Sequence, residues 1–321
     1  MRQIAFLLGA LALATAAAAQ TWPGGRPIKV IVPFAAGGNA DLTARLIAKQ
    51  LAEGLKTPVV VENRSGANGT LGLDAVRQAA PDGYTLLVSP SSPLVVNPVL
   101  YKKVPYDSLK DFEPISQILT YQYVLVVPSA SPVRSLQDLA AAAHAKPGEL
   151  TYGSSGLGGG GHLAGELLAL RLGAKLNHIP YKGTAPALAD LLGGQLSFTW
   201  DTVMTAVPHV QGEKLRPLAV SGGTRAGSFP KVPTMKELGY KDYDITQFVG
   251  LLAPAKTPSH IIERLHAEVD KAVKAPEVIK ALKTEGGNEL VTSTPAQFKS
   301  LISSELEFYR KLVNDAQIKA E

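Results

Sequence analysis

The stretch "IKVIVPFAAGGNADLTARLIAKQLAEGL", Ile28 to Leu55, decides the fold. Ile28 to Phe34 is a nearly continuous apolar run, the pattern of a strand covered on both faces. Gly37-Gly38 interrupt it. Leu42, Leu46, Ile47, Leu51 and Leu55 then form one helical stripe, while Arg45, Lys49 and Glu53 point the other way. Strand, glycine loop and helix together are the opening of a parallel βαβ unit. The theme recurs along the chain. Strands are expected at "PVVVEN" (Pro58–Asn63), "YTLLV" (Tyr84–Val88), "YVLVVP" (Tyr123–Pro128), "LTYGSS" (Leu150–Ser155), "KLNHIP" (Lys175–Pro180), "LSFTWD" (Leu196–Asp201), "LRPLAV" (Leu215–Val220) and "FVGLLAP" (Phe248–Pro254). Helices are expected at His162–Leu172 and Ala185–Leu192, and mainly helix from Pro258 onward. Strands separated by helices predict parallel sheets with helices on both faces, an α/β architecture.

Two series of strand, glycine loop and helix predict two doubly wound α/β lobes. "YVLVVP" and "FVGLLAP" read as segments crossing between them, a two-segment hinge with a ligand cleft. The expected division is a signal peptide at 1–19, one lobe from 20–122 with 248–321, and a second lobe from 123–247.

Composition bounds the function. The 321 residues are 45% hydrophobic and 18% charged, with 30 Gly and 23 Pro, an ordinary globular balance. Arg2, the apolar run Ile4–Ala18 and the Ala17-Ala18-Ala19 pattern read as a secretory signal cleaved near Ala19. There is no cysteine, which excludes disulfides, thiolate metal sites and a lipid-anchored cysteine. A periplasmic protein is therefore expected. Formal charge is +5 and no run of five basic residues occurs, so neither nucleic acid nor membrane is an expected partner.

Three loops after strands carry candidate ligand chemistry. In open parallel sheets ligands sit at that edge, and a helix N-terminus presents unpaired N–H groups to anions. The first is "PFAAGGNAD", Pro33–Asp41, where a tight turn capped by Asn39 or Asp41 is an equal alternative. The second is "YGSSGLGGGGHLAGELL", Tyr152–Leu168, with six glycines in the ten residues before His162. Gly156 to Gly161 fits G-x-G-x-x-G, yet Ala174–Gly183 holds no Asp or Glu for a ribose, so a dinucleotide is rejected. The third is "SPSSPLVVNP", Ser89–Pro98, whose hydroxyls suit a polar ligand. The six histidines are scattered singly, so no metal site is expected. Ser154 or Ser155 beside His162 imitates a nucleophile and base, the signature of an exported serine hydrolase, but no orienting acid is evident. Asp201 follows a strand and either approaches the cleft or caps the next turn.

Taken together, "RPIKVIVPFAAGGNAD", "VVVENRSGANGTLG", "APDGYTLL", "NPVLYKKVPYDSLKDFEPIS", "HLAGELL", "IPYKGTAPALADLLGGQ", "LRPLAVSGGTRAGSFPKVPTMKELGY" and "GLLAPAKTP" resemble the Bug family, the extracytoplasmic solute receptors of tripartite tricarboxylate transporters. The resemblance implies a type II periplasmic-binding-protein fold closing on a small organic carboxylate, held by loops Pro33–Asp41 and Gly153–His162. It also implies a monomeric, non-enzymatic receptor without cofactor that hands its ligand to membrane permease subunits; a sensor kinase is the alternative partner. The expected ligand-binding residues are Phe34, Ala36, Gly37, Gly38, Asp41, Ser89, Ser91, Ser154, Gly158, Gly159, Gly160, His162 and Asp201. Family members often carry Ser or Thr where this chain has Gly159, Gly160 and Gly161. The glycines are expected to let the backbone approach a bound anion closely and to leave room for a bulkier acid.

Overall fold

The structure, a computed structural model, describes residues 22–315; the expected signal peptide lies outside the described residues. Among the described residues ten strands are hydrogen-bonded together, as two mixed sheets that share one strand. In the first sheet β1 (Ile28–Val32) pairs in parallel with β2 (Val59–Asn63) and β3 (Thr85–Pro90). β4 (Phe112–Pro128) is 17 residues long, and its first part runs antiparallel to β9 (Thr246–Pro254), which in turn pairs antiparallel with β3. In the second sheet β5 (Thr151–Ser154) lies parallel to β6 (Asn177–Pro180) and β7 (Phe198–Thr202). The second part of β4 closes that sheet, antiparallel to β7 and to β8 (Leu215–Val220). The short β10 (Glu289–Leu290) adds to β4 in the first sheet.

The sheets are thus mixed, not wholly parallel as expected. β4 and β9 bring the chain across from one sheet to the other, so no crossover helix is needed and antiparallel pairing results. The expected strand from Tyr123 is only the second part of β4. Its first part escapes a period-2 reading because Pro114, Ser116 and Gln117 interrupt it, and the register with β9 shifts at Pro114/Ser116 and at Gln117/Leu119.

Alternation along the strands covers each sheet on both faces. Val30 and Leu86 pack against α1 (Asn39–Leu55), through Ile47 and Leu51, and against the later helix Ser259–Ala272 through Leu265 and Val269. Their neighbours Ile31 and Leu87 pack on the opposite face with Phe298, Ile302 and Tyr309 of the last helix, Pro295–Asp315. α2 (Thr70–Arg77) joins this face through Leu73 and Val76. In the second sheet Leu125, Tyr152, Phe198 and Trp200 meet α3 (Leu136–Ala145) and α4 (Gly160–Leu172). Val124 and Val126 meet α5 (Thr184–Leu192) and α6 (Val203–Gln211) on the other side. α2, α3 and α6 are short helices that the apolar periodicity did not separate from their loops.

Gly250, in the middle of β9, lies under the Phe298 ring, and a Cβ there would overlap it. Gly250→Ala is expected to destabilise the fold by about 1–3 kcal/mol through overpacking, read as a lower midpoint in urea unfolding.

Candidate ligand-binding cleft

The C-terminal ends of β1, β3, β5 and β7 meet in one cleft. Loop Pro33–Asp41 supplies Phe34, Ala35, Gly38, Asn39, Ala40 and Asp41; the turn after β3 supplies Pro90 and Ser92; β4 supplies Tyr121 and Tyr123. The opposing sheet brings Ser155, Thr184 and Thr202. Among the described residues, no Lys or Arg belongs to this wall.

The glycine loops shape helix starts. Gly38 is the N-cap of α1, in extended backbone, and no side chain caps it. Gly37 rather than Gly38 carries the left-handed φ, +85°. The carboxylate of Asp41 turns back on its own loop, accepting from the Gly37 amide at 2.9 Å, Arg45 Nε at 3.0 Å and Asn63 Nδ2 at 2.9 Å. Burial alone would raise that carboxyl, but the hydrogen bonds of Arg45, Gly37 and Asn63 outweigh it and hold the group below its usual range. Asp41 is therefore an ionised, already satisfied brace. Asn39, Ala40 and Asp41 line the cavity, and their backbone amides, the first of α1, have no residue four back inside the helix to accept from them. α5 begins the same way, with Gly183 as an uncapped N-cap at φ +152°. The two loops touch: Ala35 N donates to Lys182 O at 3.1 Å, and an added Gly38 Cβ would stand 3.0 Å from Thr184 Oγ1.

The second glycine loop folds on itself. Gly159 N donates to Gly156 O at 3.0 Å, and Gly158 N donates to His162 Nδ1 at 3.1 Å. Accepting at Nδ1 means that the His162 imidazole is neutral, and its burial lowers its pKa despite the nearby Glu166. His178 stacks beside it with ring centroids 4.3 Å apart, and burial together with His162 pushes it down to about 3. Neither histidine is a cation here. The glycines do not leave the expected open space. A Cβ on Gly159 would stand 2.5 Å from Ser155 Oγ, one on Gly160 would overlap the Tyr123 phenol, and one on Gly161 would stand 2.7 Å from Trp200 O.

Of the residues expected from sequence, Phe34, Gly38 and Asp41 line the cavity. Gly37 lies in an outer groove with Ala185 and Leu188, and Ala36 is not in the cavity wall. Ser89 is buried and donates to Pro90 O; Ser91 is buried with no partner for its hydroxyl among the described residues. Ser154, Gly158, Gly159, Gly160, His162 and Asp201 also stand behind the wall. Asp201 is buried, and desolvation outweighs the hydrogen bonds of the Thr205 hydroxyl and the Thr202 backbone to push its carboxyl up to about 7. Sequence reasoning passed over Tyr121 and Tyr123, both of which donate to Gln247 Oε1, at 2.9 and 2.8 Å. Their signal was two tyrosines spaced by two on the crossing strand. Thr184 and Thr202 were missed because each reads simply as a helix-start residue.

The hydrolase alternative loses its geometry. Ser154 Oγ contacts His178 Nε2 at 2.6 Å and Gly156 O at 3.0 Å, but is 2% exposed and lies outside the cavity wall. Ser155 reaches the cavity, and among the described residues neither serine bonds to His162. Gly38→Ala tests the cleft itself. Alanine fits φ −84°, so the fold should keep its melting temperature, while the new methyl separates α1 from Thr184. A loss in affinity of about tenfold is expected by calorimetry.

A sequence profile described as "Tripartite tricarboxylate transporter family receptor" matches residues 43–318. The chain is 38% identical to Protein BugT of Bordetella pertussis (strain Tohama I) over 317 residues, 98% of this chain and 97% of that one. Its structure is similar to that of the periplasmic binding protein BugD, at 31% identity and TM-score 0.89, covering 92% of this chain and 99% of the other. It is equally similar to a protein of R. palustris solved with adipate, at 32% identity and TM-score 0.89, covering 93% and 99%. The fold is that of the two-lobed periplasmic binding proteins, and the chain belongs to the tripartite tricarboxylate transporter receptor family, the Bug-type solute-binding proteins.

Proposed function

We propose that this receptor captures a small organic carboxylate in the periplasm and delivers it to the membrane permease subunits of a tripartite tricarboxylate-type transporter. It acts as a monomer, with lobes 20–122 plus 248–321 and 123–247 closing about the two passages between the sheets. The single observation that carries the reading is the cavity wall, where two uncapped helix starts, α1 and α5, meet without any Lys or Arg. Such ends supply fixed partial positive charge and aligned N–H donors to an anion. The hydroxyls of Ser155 and Thr184 stand beside them. The adipate-bound relative supports a carboxylate as the ligand class.

Loops Pro33–Asp41 and Gly153–His162 then act differently. The first donates backbone amides directly. The second positions Ser155 and, through Gly160, the Tyr123 ring. Calorimetry with straight-chain mono- and dicarboxylates of two to six carbons tests the reading; a panel in which none binds rejects it. Because the donors are dipoles inside a closed cleft, affinity for the tightest panel member should change by less than about threefold between 20 and 500 mM salt. A steep fall with salt would point to a lysine or arginine outside the described wall contacts. Small-angle scattering should record a more compact particle with that acid bound than without it.

A further inference from the structure

Behind Thr202 lies a chain of hydrogen bonds that ends on a buried carboxyl. Thr202 lines the cavity, and its Oγ1 lies 2.6 Å from Thr205 Oγ1. Thr205 Oγ1 lies 2.8 Å from Asp201 Oδ1. All three residues sit where β7 passes into α6. Asp201 is 2% exposed, and its Oδ2 has no partner among the described residues. The side chain lies on the face of β7 shared with its register partner Val124, where α5 and α6 pack through Leu188, Leu191 and Ala206. No charged side chain from those elements compensates it. The titratable group that feels it is Tyr123 on β4, itself held neutral by burial.

We infer that Asp201, through Thr205 and Thr202, sets the polarity of the cavity wall and takes up a proton when a carboxylate binds. The inference rests on the carboxylate reading given above. Thr202 Oγ1 also accepts from Thr205 N at 3.4 Å, as the cap of α6, and Thr205 Oγ1 has a second, longer acceptor in Thr202 O at 3.1 Å. When Asp201 is ionised, Thr205 donates to it, Thr202 donates to Thr205, and the cavity meets the lone pair of Thr202 that the cap leaves free. When Asp201 is protonated on Oδ1, it donates to Thr205, Thr205 donates to Thr202 Oγ1 across the shorter 2.6 Å contact, and the Thr202 proton is released toward the cavity. No bond other than hydrogen bonds changes, and the single proton comes from buffer. A hydroxyl carries one proton, so the two arrangements exclude each other. An incoming carboxylate selects the second, because in the first it would face a lone pair with a like charge behind it.

Burial already pushes the Asp201 carboxyl up to about 7. Below that pH the group is protonated and binding needs no further proton. Above it each binding event takes one up, and affinity falls toward a limit of about tenfold per pH unit. The other carboxylate at the wall, Asp41, is held ionised by Arg45, Gly37 and Asn63 and contributes no slope in this range. His162 and His178 are held neutral by burial and contribute none either.

The experiment is calorimetry on the mature protein with the tightest-binding acid of the two-to-six-carbon panel, at pH 6 and 8.5, in buffers of different ionisation enthalpy. Expected are uptake approaching one proton at pH 8.5, almost none at pH 6, and at least tenfold weaker binding at the higher pH. Asp201→Asn should flatten the pH dependence and remove the buffer-dependent heat. Thr205→Val leaves the carboxyl in place but cuts the chain, and should shrink both effects; it also serves if the Asn variant does not fold. Equal affinity at both pH values with no proton uptake overturns the inference while the carboxylate reading stands. So does a Thr205→Val protein with the full wild-type slope. If no panel acid binds, the carboxylate reading fails and this inference falls with it.

Discussion

Strand β4 passes from one sheet to the other without losing its backbone pairing. Its last partner in the first sheet is Thr246, opposite Gln122; its first in the second sheet is Thr202, opposite Tyr123. The returning chain is tied at the same point. Ser221 N donates to Tyr123 O at 2.9 Å, Ser221 Oγ accepts from Tyr123 N at 2.9 Å, and Ser221 Oγ donates to Ile245 O at 2.6 Å. One serine therefore satisfies both passages where neither sheet can. Buried backbone groups must be paired, so any motion between the sheets has to turn about this junction rather than pull it apart. Everything at the cleft is placed relative to it: the tyrosines of β4, the end of β7, and Gln247 at the start of β9.

The electrostatics of the cleft follow from what surrounds that junction. Apart from Asp201, the ionisable groups near it are neutral or internally balanced. The histidines are kept uncharged by burial, the tyrosines are buried, and Asp41 is matched by Arg45. What remains to meet an anion is the orientation of peptide units at helix starts and the hydroxyls of Ser155, Thr184 and Thr202 beside them. This arrangement favours discrimination over raw attraction. Fixed dipoles reward an anion placed at the helix axis, whereas a flexible ammonium would follow it anywhere.

Much of this was legible in the sequence. The alternation of strand and helix, the glycines before α1 and the apolar stripe from Leu42 to Leu55 fix the architecture, because a doubly covered strand and a one-faced helix bury apolar area in different periods. The first loop was legible for the same reason: the residues it brings to the cavity wall are nearly consecutive in the chain. The second loop did not. Its glycines advertise empty space, but that space is claimed by Tyr123 and Ser155 and by the Trp200 carbonyl, groups that arrive from other strands. Sequence shows where a side chain is missing and cannot show what moves in. Tyr121, Tyr123 and Thr184 went unread for a similar reason, since their neighbours Gln247 and Gly38 lie more than a hundred residues away, whereas Thr202 was hidden by its ordinary place at a helix start. The mixed pairing of the sheets lay beyond local pattern too, because β4 is broken by Pro114 and by two shifts of register.

The contact between Gly160 and Tyr123 ties two distant positions into a single evolutionary unit. A chain that acquired serine or threonine at 160 would collide with the phenol. It would have to give up the aromatic ring at 123 in the same step, or nearly so, and the hydrogen bond to Gln247 would go with it. Among relatives, the hydroxyl-bearing loop and the tyrosine-bearing strand should then be mutually exclusive. Grafting the loop of one receptor into another to change its ligand would succeed only if residue 123 travelled with it.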